Sequence, residues 1–597
     1  LRRKSLDLQP ISVKSDRLLT FGQLLKRLLP VLVILGALTE QARGEVTIEV
    51  PGGSAALEEN LRARLRLNAQ ACDAPSWRVR RLFGRAEQEF QPALRAFGYY
   101  SATVDKRLET GDDCWEATFD IVLGTRTTIR ERRIVIQGEA SEDPQLQGLL
   151  KTLPLAEGAP LNHADYEAIK ERLRQFATQY GYLDFEFSRQ ELRVYPSEAV
   201  ADIVLEADSG VRYRFGELRF GELPVDEELV RRLAKIREGE PYNAAALLAM
   251  NRHLSDSGYF HRVEVRARRA EAEDDRVPID ILLEPAKRHA WRAGIGFATD
   301  TGPRFTLRYD NRYLNLRGHR FEAALSVSPV LSGLNLDYVI PGEDPLRESF
   351  SFGAQLKHED TDSTLSDSVT LAARQAIKSE RWTQTRFLEL LHEKSTVADE
   401  DTTSTLLMPG IALDRIKADD LLRTRRGHRV RMEVRGAYDG LVSTATLLQL
   451  KTHAKGIYRF GESGRLSLRA DAGWTLTDST VDLPATLRFF AGGDNSVRGY
   501  RYQSLGPRDG DGDVKGGKHL LTGSVEYEHP VFGEDWWVAA FVDAGNAFDT
   551  NDVDVRYGYG LGVRWYSPVG RVRLDVAIPD DTEDDSWRLH FGLGADL

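Results

Sequence analysis

Two patterns of hydrophobic and polar positions divide this chain. In the first, apolar residues recur three or four positions apart: Val79, Leu82, Ala86, Phe90, Leu94 and Phe97, then Tyr166, Ile169, Leu173, Phe176 and Tyr180, then Leu247, Met250 and Leu254. That spacing lays one buried stripe along each of three helices. Each run ends at a glycine followed by tyrosine, at Gly98, Gly181 and Gly258, positions suited to a left-handed cap after the last helical turn. Asn162 and Asn243 stand where N-caps belong. Each glycine is followed by an alternating strand, as in Phe185 to Phe187 and Val263 to Val265, and then by a closing strand at Trp115 to Leu123, Ala201 to Leu205 and Pro278 to Leu283. New strands open at Arg133 to Ile136 and Arg214 to Phe220. The predicted unit is strand, helix, helix, strand, strand, about 80 residues long, and it occurs three times.

From about residue 290 the period changes to two. Phe305, Leu307, Tyr309 and Tyr313 share one face of a strand whose other face carries Arg304, Thr306, Arg308, Asp310 and Arg312. The segments Arg429 to Arg435 and Arg571 to Ile578 repeat this alternation. Glycine rises as well: 18 of the 50 precede residue 290. A charged face is costly inside an ordinary sandwich core, and it fits a barrel whose strands face lipid on one side and a wet lumen on the other. An antiparallel sheet with one solvated face explains any single strand equally well; it does not explain some 300 residues, about half of a domain-rich chain, without a helix. Of seventeen candidate strands, Leu487 to Phe490 is too short to span a membrane, where about 9 to 11 residues are needed, and is assigned to a loop. Sixteen remain. The expected fold class is α+β repeats followed by an all-β 16-stranded transmembrane β-barrel.

Composition narrows the function. With 80 basic and 91 acidic residues the net charge is -11, the wrong sign for a nucleic-acid binder. A hydrophobic content of 41% and a mean hydropathy of -0.39 exclude a bundle of membrane helices but not a barrel, whose alternating faces average out. The two cysteines, Cys72 and Cys114, lie within one domain-sized stretch. In an oxidising compartment they form a candidate disulfide; two unpaired buried thiols are the alternative. Lys26 and Arg27 precede an apolar run from Leu28 to Leu38, and Ala42 and Gly44 offer a cleavage site before Glu45, the pattern of a secretory signal.

Three segments carry a resemblance: FFAGGDNSVRGY at 489–500, FVDAGNAF at 541–548 and GYGLGVRWYSPVGRVRLDVAIP at 558–579. They resemble the barrel motifs of the BamA/TamA outer-membrane assembly factor superfamily, and the repeats resemble its POTRA domains. GIGFATDTGPRFTLRYDNRYLNLRGH at 294–319 is similar to a TamA-type barrel start, and three repeats favour a TamA-type member. The resemblance divides the chain into a signal peptide with upstream extension at 1–44, POTRA domains at 45–124, 125–209 and 210–287, and the barrel at 288–597.

The resemblance also implies roles. Arg498 would sit at the tip of a loop folded into the lumen and meet Asp543 on the inner wall, with Gly492, Gly493 and Gly499 shaping the loop and Tyr500 packing it against the wall. A lateral gate would lie between the first and last strands, about Ala290 to Ala298 and Trp587 to Leu597, weakened by Gly294, Gly296, Gly592 and Gly594. The implied setting is the bacterial outer membrane, with the POTRA domains in the periplasm. The implied partners are a TamB-like protein anchored in the inner membrane, autotransporters and other outer-membrane protein clients, and outer-membrane lipid. A two-partner-type secretion pore for a dedicated substrate is the alternative function.

No enzyme signature completes itself. GDVKGGKH at 512–519 has His519 where a phosphate loop needs a hydroxyl, and Asp509, Asp511 and Asp513 lack the turn glycine and closing glutamate of a calcium loop. No catalytic residue, metal or cofactor is expected.

Overall fold

A computed structural model describes residues 44–594 apart from 112–113, 422, 441, 462–463, 479–482, 534, 551–552, 568–569 and 581–586. The expected signal segment, up to residue 43, lies outside the described residues, as do 595–597 at the end of the expected gate. The described residues form two compact units, which meet in sequence between Arg212 and Tyr213.

The first unit holds two repeats. One comprises β1 (Glu45–Glu49), α1 (Ala55–Arg64), α2 (Ser76–Ala96), β2 (Thr103–Thr110) and β3 (Trp115–Val122). The next comprises β4 (Thr128–Gln137), α3 (Pro144–Thr152), α4 (His163–Tyr180), β5 (Glu186–Tyr195) and β6 (Val200–Asp208). Each sheet places its last strand in the middle, parallel to the first and antiparallel to the second. The middle strand carries the core: Trp115, Ala117, Phe119 and Ile121 are buried, and the stripe of α2 lands on them, Phe90 edge-on to Phe119 at 5.1 Å. Cys72 and Cys114 are bridged, their Cα atoms 4.5 Å apart. Gly98 and Gly181 have φ of +87° and +86°, and the Asn162 side chain accepts from the Ala164 N–H at 2.9 Å.

The second unit opens with the third repeat: β7 (Arg214–Phe220), α5 (Glu227–Ala234), α6 (Ala244–Asp256), β8 (Phe260–Ala267) and β9 (Arg276–Pro285). Asn243 caps α6 by accepting from the Ala245 and Ala246 N–H groups. This repeat is fastened to two barrel turns. The Asp226 N–H donates to the Leu316 carbonyl and the Tyr259 hydroxyl to that of Gly318, both at 2.7 Å. Arg232 donates to the Gly342 carbonyl at 2.8 Å, and Lys235 pairs with Asp344 at 2.7 Å.

The barrel follows as sixteen antiparallel strands in sequence order, β10 (His289–Ala298) to β25 (Arg588–Gly594). Its alternation matches a lipid-facing exterior: in β24 (Gly570–Pro579) Leu574, Val576 and Ile578 are exposed, while Arg571 and Asp575 are buried inside. The segment Leu487 to Phe490 forms no barrel strand; it leaves a short 3-10 turn, Ala485–Leu487, inside a long loop.

The lumen loop and the barrel seam

The loop between β20 (Gly464–Thr477) and β21 (His519–Phe532) folds into the lumen because its sequence gives it a core of its own and an apolar footing on the wall. Ala491, Val497 and Leu505 pack together with Tyr500 against them. Leu483 and Leu487 are buried against Leu391, Leu406, Met408 and Leu447. Polar contacts complete the seat: Gln449 donates to the Leu487 carbonyl at 2.8 Å and Gln503 to Glu359 at 2.8 Å.

Arg498 is 3% exposed and meets more than the expected acid. Its Nε and Nη2 donate to the two oxygens of Asp543, on β22 (Trp536–Phe548), at 2.7 and 2.9 Å, a bidentate pair. Its Nη1 donates to Glu526 of β21 at 2.8 Å and to Asp575 of β24 at 2.9 Å, and its guanidinium lies 3.3 Å from the centre of the Phe541 ring. Arg564, on β23 (Arg556–Ser567), bridges Glu526 and Asp575, while Arg571 binds Glu526 and Glu528, and Arg465 lies 3.7 Å from Glu528. Four acids thus face four arginines out of water. Such an assembly holds when every charge is partnered and fails when one is removed. Of these acids Asp543 and Asp575 lie in the quoted motifs, and only Asp543 was assigned to Arg498; Glu526 and Glu528 carried no signal beyond a charge on an inward-facing strand position.

Gly492, Gly493 and Gly499 have φ of +98°, +102° and +100°, so the loop's bends fall where the sequence places them. A further glycine makes the close approach: a Cβ on Gly558, in β23, would lie 1.8 Å from the Arg498 carbonyl oxygen. Tyr500 packs within the loop, and its hydroxyl bonds Asp580 just beyond β24.

The seam differs from every other strand pair. Fifteen neighbouring pairs form backbone ladders, the β21–β22 one with a bulge at Pro530 to Phe532, whereas among the described residues no backbone ladder joins β10 to β25. What connects them is side chains. Phe297 and Phe591 approach to 6.1 Å between ring centres, and the Phe591 N–H donates to the Thr299 hydroxyl at 2.9 Å. Gly294 and Gly296 lie opposite Thr306 and Arg304 of β11 (Gly302–Asn311); Gly592 and Gly594 lie opposite Arg573 and Arg571.

Asp300, Asp494 and His590 bring one ligand-capable atom each to within 4.8 Å of one another, the one such grouping among the described residues. Each already has a partner in the chain: His590 meets Asp494 and the Gly499 N–H, and Asp300 accepts from the Asp494 N–H. His519 stacks on Trp474 at 3.8 Å, and Asp509 accepts from the Asp511 and Asp513 N–H groups.

The description "Omp85 superfamily domain" matches residues 298–597, the whole barrel bar its first strand. The chain belongs to the Omp85 superfamily. The first repeat matches "POTRA domain TamA domain 1" at 47–123, and the POTRA family, "surface antigen variable number repeat", matches 129–208 and 213–286. The outer membrane protein assembly factor BamA of Neisseria meningitidis is 22% identical over 566 residues, 83% of this chain and 70% of its own length. BamA of Nitratidesulfovibrio vulgaris is 21% identical over 69% of this chain, which spans about half (55%) of that relative. The structure of Haemophilus ducreyi BamA lacking POTRA domains 1–3 superimposes with a TM-score of 0.66 at 18% identity, over 78% of this chain and 99% of that one. This Omp85 barrel therefore shares the BamA fold, with its arginine loop seated in the lumen.

Proposed function

We propose that this chain is an outer-membrane protein assembly and translocation factor of TamA type, which inserts or translocates autotransporters and other barrel clients through a lateral gate between β10 and β25. The observation that carries the reading is the seam: among the described residues it is the one neighbouring strand junction without a backbone ladder, and parting it exposes strand edges whose donors and acceptors a client strand can complete. Residence in the outer membrane with periplasmic POTRA domains follows from the family. The TamA assignment rests on the match of the first repeat and on the three-repeat layout. It brings with it a TamB-like, inner-membrane-anchored partner and contact with outer-membrane lipid.

Reconstitution tests the reading. Liposomes carrying the full chain should speed insertion of a urea-unfolded autotransporter barrel, read as the heat-modifiable band on gels. An insertion rate equal to that of empty liposomes contradicts it.

A further inference from the structure

The arginine cradle fastens one side of the lumen loop; the other side of the same loop touches both flanks of the seam, the turn after β10 and the strand β25. Asp494 lies four residues before Arg498 and is 3% exposed. Its carboxylate accepts from the Thr299 hydroxyl, in the turn after β10, at 2.9 and 3.1 Å. It also meets Nδ1 of His590, on β25, at 2.5 Å. His590 is 1% exposed, and its Nε2 accepts from the Gly499 N–H at 2.9 Å. Since Nε2 accepts, the ring proton sits on Nδ1 and is donated to Asp494. Thr299 in turn accepts from the Phe591 N–H, so a ladder position on β25 is satisfied by a side chain of the turn after β10. The Asp494 N–H donates to Asp300 of the same turn at 2.6 Å, which secures the loop to the β10 side a second time.

We propose that the lumen loop is a clasp on the lateral seam: Asp494 joins Thr299 on the first hairpin to His590 on the last strand, so that the seam parts only when the loop withdraws. Each piece is needed for that role. Thr299 opens the turn directly after one of the two strands that lack a ladder, His590 lies on the other, and Asp494 belongs to neither. The adjacent Gly499 N–H ties His590 to the residue next to Arg498, which makes the arginine cradle and the seam neighbours in one loop. A client that draws the loop out of its cradle therefore frees both seam strands in the same movement. This rests on the lateral-gate reading for its purpose but not for its test.

The test is hydrogen exchange by mass spectrometry on the full chain in nanodiscs, following peptides that cover 290–299 and 588–594, with β21 and β22 as internal controls. Thr299→Val keeps shape and removes the hydroxyl; Thr299→Ser restores it. Losing the shared hydroxyl removes one bond to a buried carboxylate and one from a backbone N–H, so Thr299→Val and Asp494→Ala should raise exchange of both seam peptides about tenfold or more, with β21 and β22 unchanged. Thr299→Ser should stay within about twofold of the wild type. A disulfide between Phe297→Cys and Phe591→Cys should return the Asp494→Ala seam to wild-type protection, and reduction should undo the rescue. Unchanged seam exchange in Thr299→Val, or a rise of equal size in Ser and Val, overturns the clasp. A failed lateral gate has a different signature: a covalently closed seam that still assembles clients.

Discussion

At Arg498 the fork geometry decides the consequence of each substitution. Arg498→Ala takes from Asp543 its bidentate partner in a dry cradle while Glu526 and Asp575 keep Arg564, whereas Asp543→Asn leaves Arg498 with Glu526 and Asp575. Breaking a buried ion pair by deleting one partner costs about 3–5 kcal/mol. Arg498→Ala should therefore lower the temperature of heat modifiability more than Asp543→Asn, and combining it with Asp543→Ala should cost less than the two losses added. Strict additivity in that cycle, read by gel-shift melting, contradicts the pair. Outside the membrane, the Tyr100 hydroxyl meets Nε2 of His163 at 2.7 Å where the first two repeats join, and burial holds the imidazole below its usual range. A depressed histidine stabilises the fold above its unfolded value, and that contribution is lost as pH falls below it. The protection of backbone amides at 97–101 and 160–166, taken relative to the intrinsic exchange rate at each pH, should fall between pH 7.5 and 5.5, and His163→Gln should abolish that fall.

Among the elements, helices and glycine caps were the most legible parts of the chain. The stripe of α2 and the caps at Gly98, Gly181 and Gly258 follow from local spacing alone, and all three glycines have positive φ. Leu487 to Phe490 forms no barrel strand, as its length predicts, because length and not apolarity limits a span. The loop motif led to Arg498 and Asp543 through resemblance. His590, Asp494 and Asp300 stayed hidden because they are separated by up to 290 residues and meet only when the sheet curls round; no local pattern encodes barrel closure. The joint between the third repeat and the barrel was equally silent, being made of backbone carbonyls that any sequence supplies. Its exposed Lys235–Asp344 pair contributes at most about 1 kcal/mol, so the Tyr259 and Arg232 bonds dominate. Tyr259→Phe with Arg232→Ala should raise exchange of the 312–319 and 342–347 turns about tenfold, while Lys235→Ala alone changes it less than threefold. Comparable effects from Lys235→Ala contradict that ranking.

For the whole molecule, the proposed division of labour places partner capture in the first repeat, which is farthest in sequence from the barrel and carries the TamA-type match. Its sheet leaves β1 and β2 as edges, and an edge pairs with a partner strand through backbone groups. Deleting 45–124 should abolish capture of a TamB-like partner from solubilised envelopes yet leave a heat-modifiable barrel; deleting 211–286 should impair barrel function directly. Undiminished capture by the shortened chain contradicts the docking role. The central claim, that clients pass through the seam, is tested most directly by closing it. Phe297 and Phe591 already approach across it, and bridged Cys72 and Cys114 leave no competing thiol. With both phenylalanines replaced by cysteine in the reconstituted chain, client insertion should cease on oxidation and return on reduction; insertion that continues through a covalently closed seam contradicts the lateral gate.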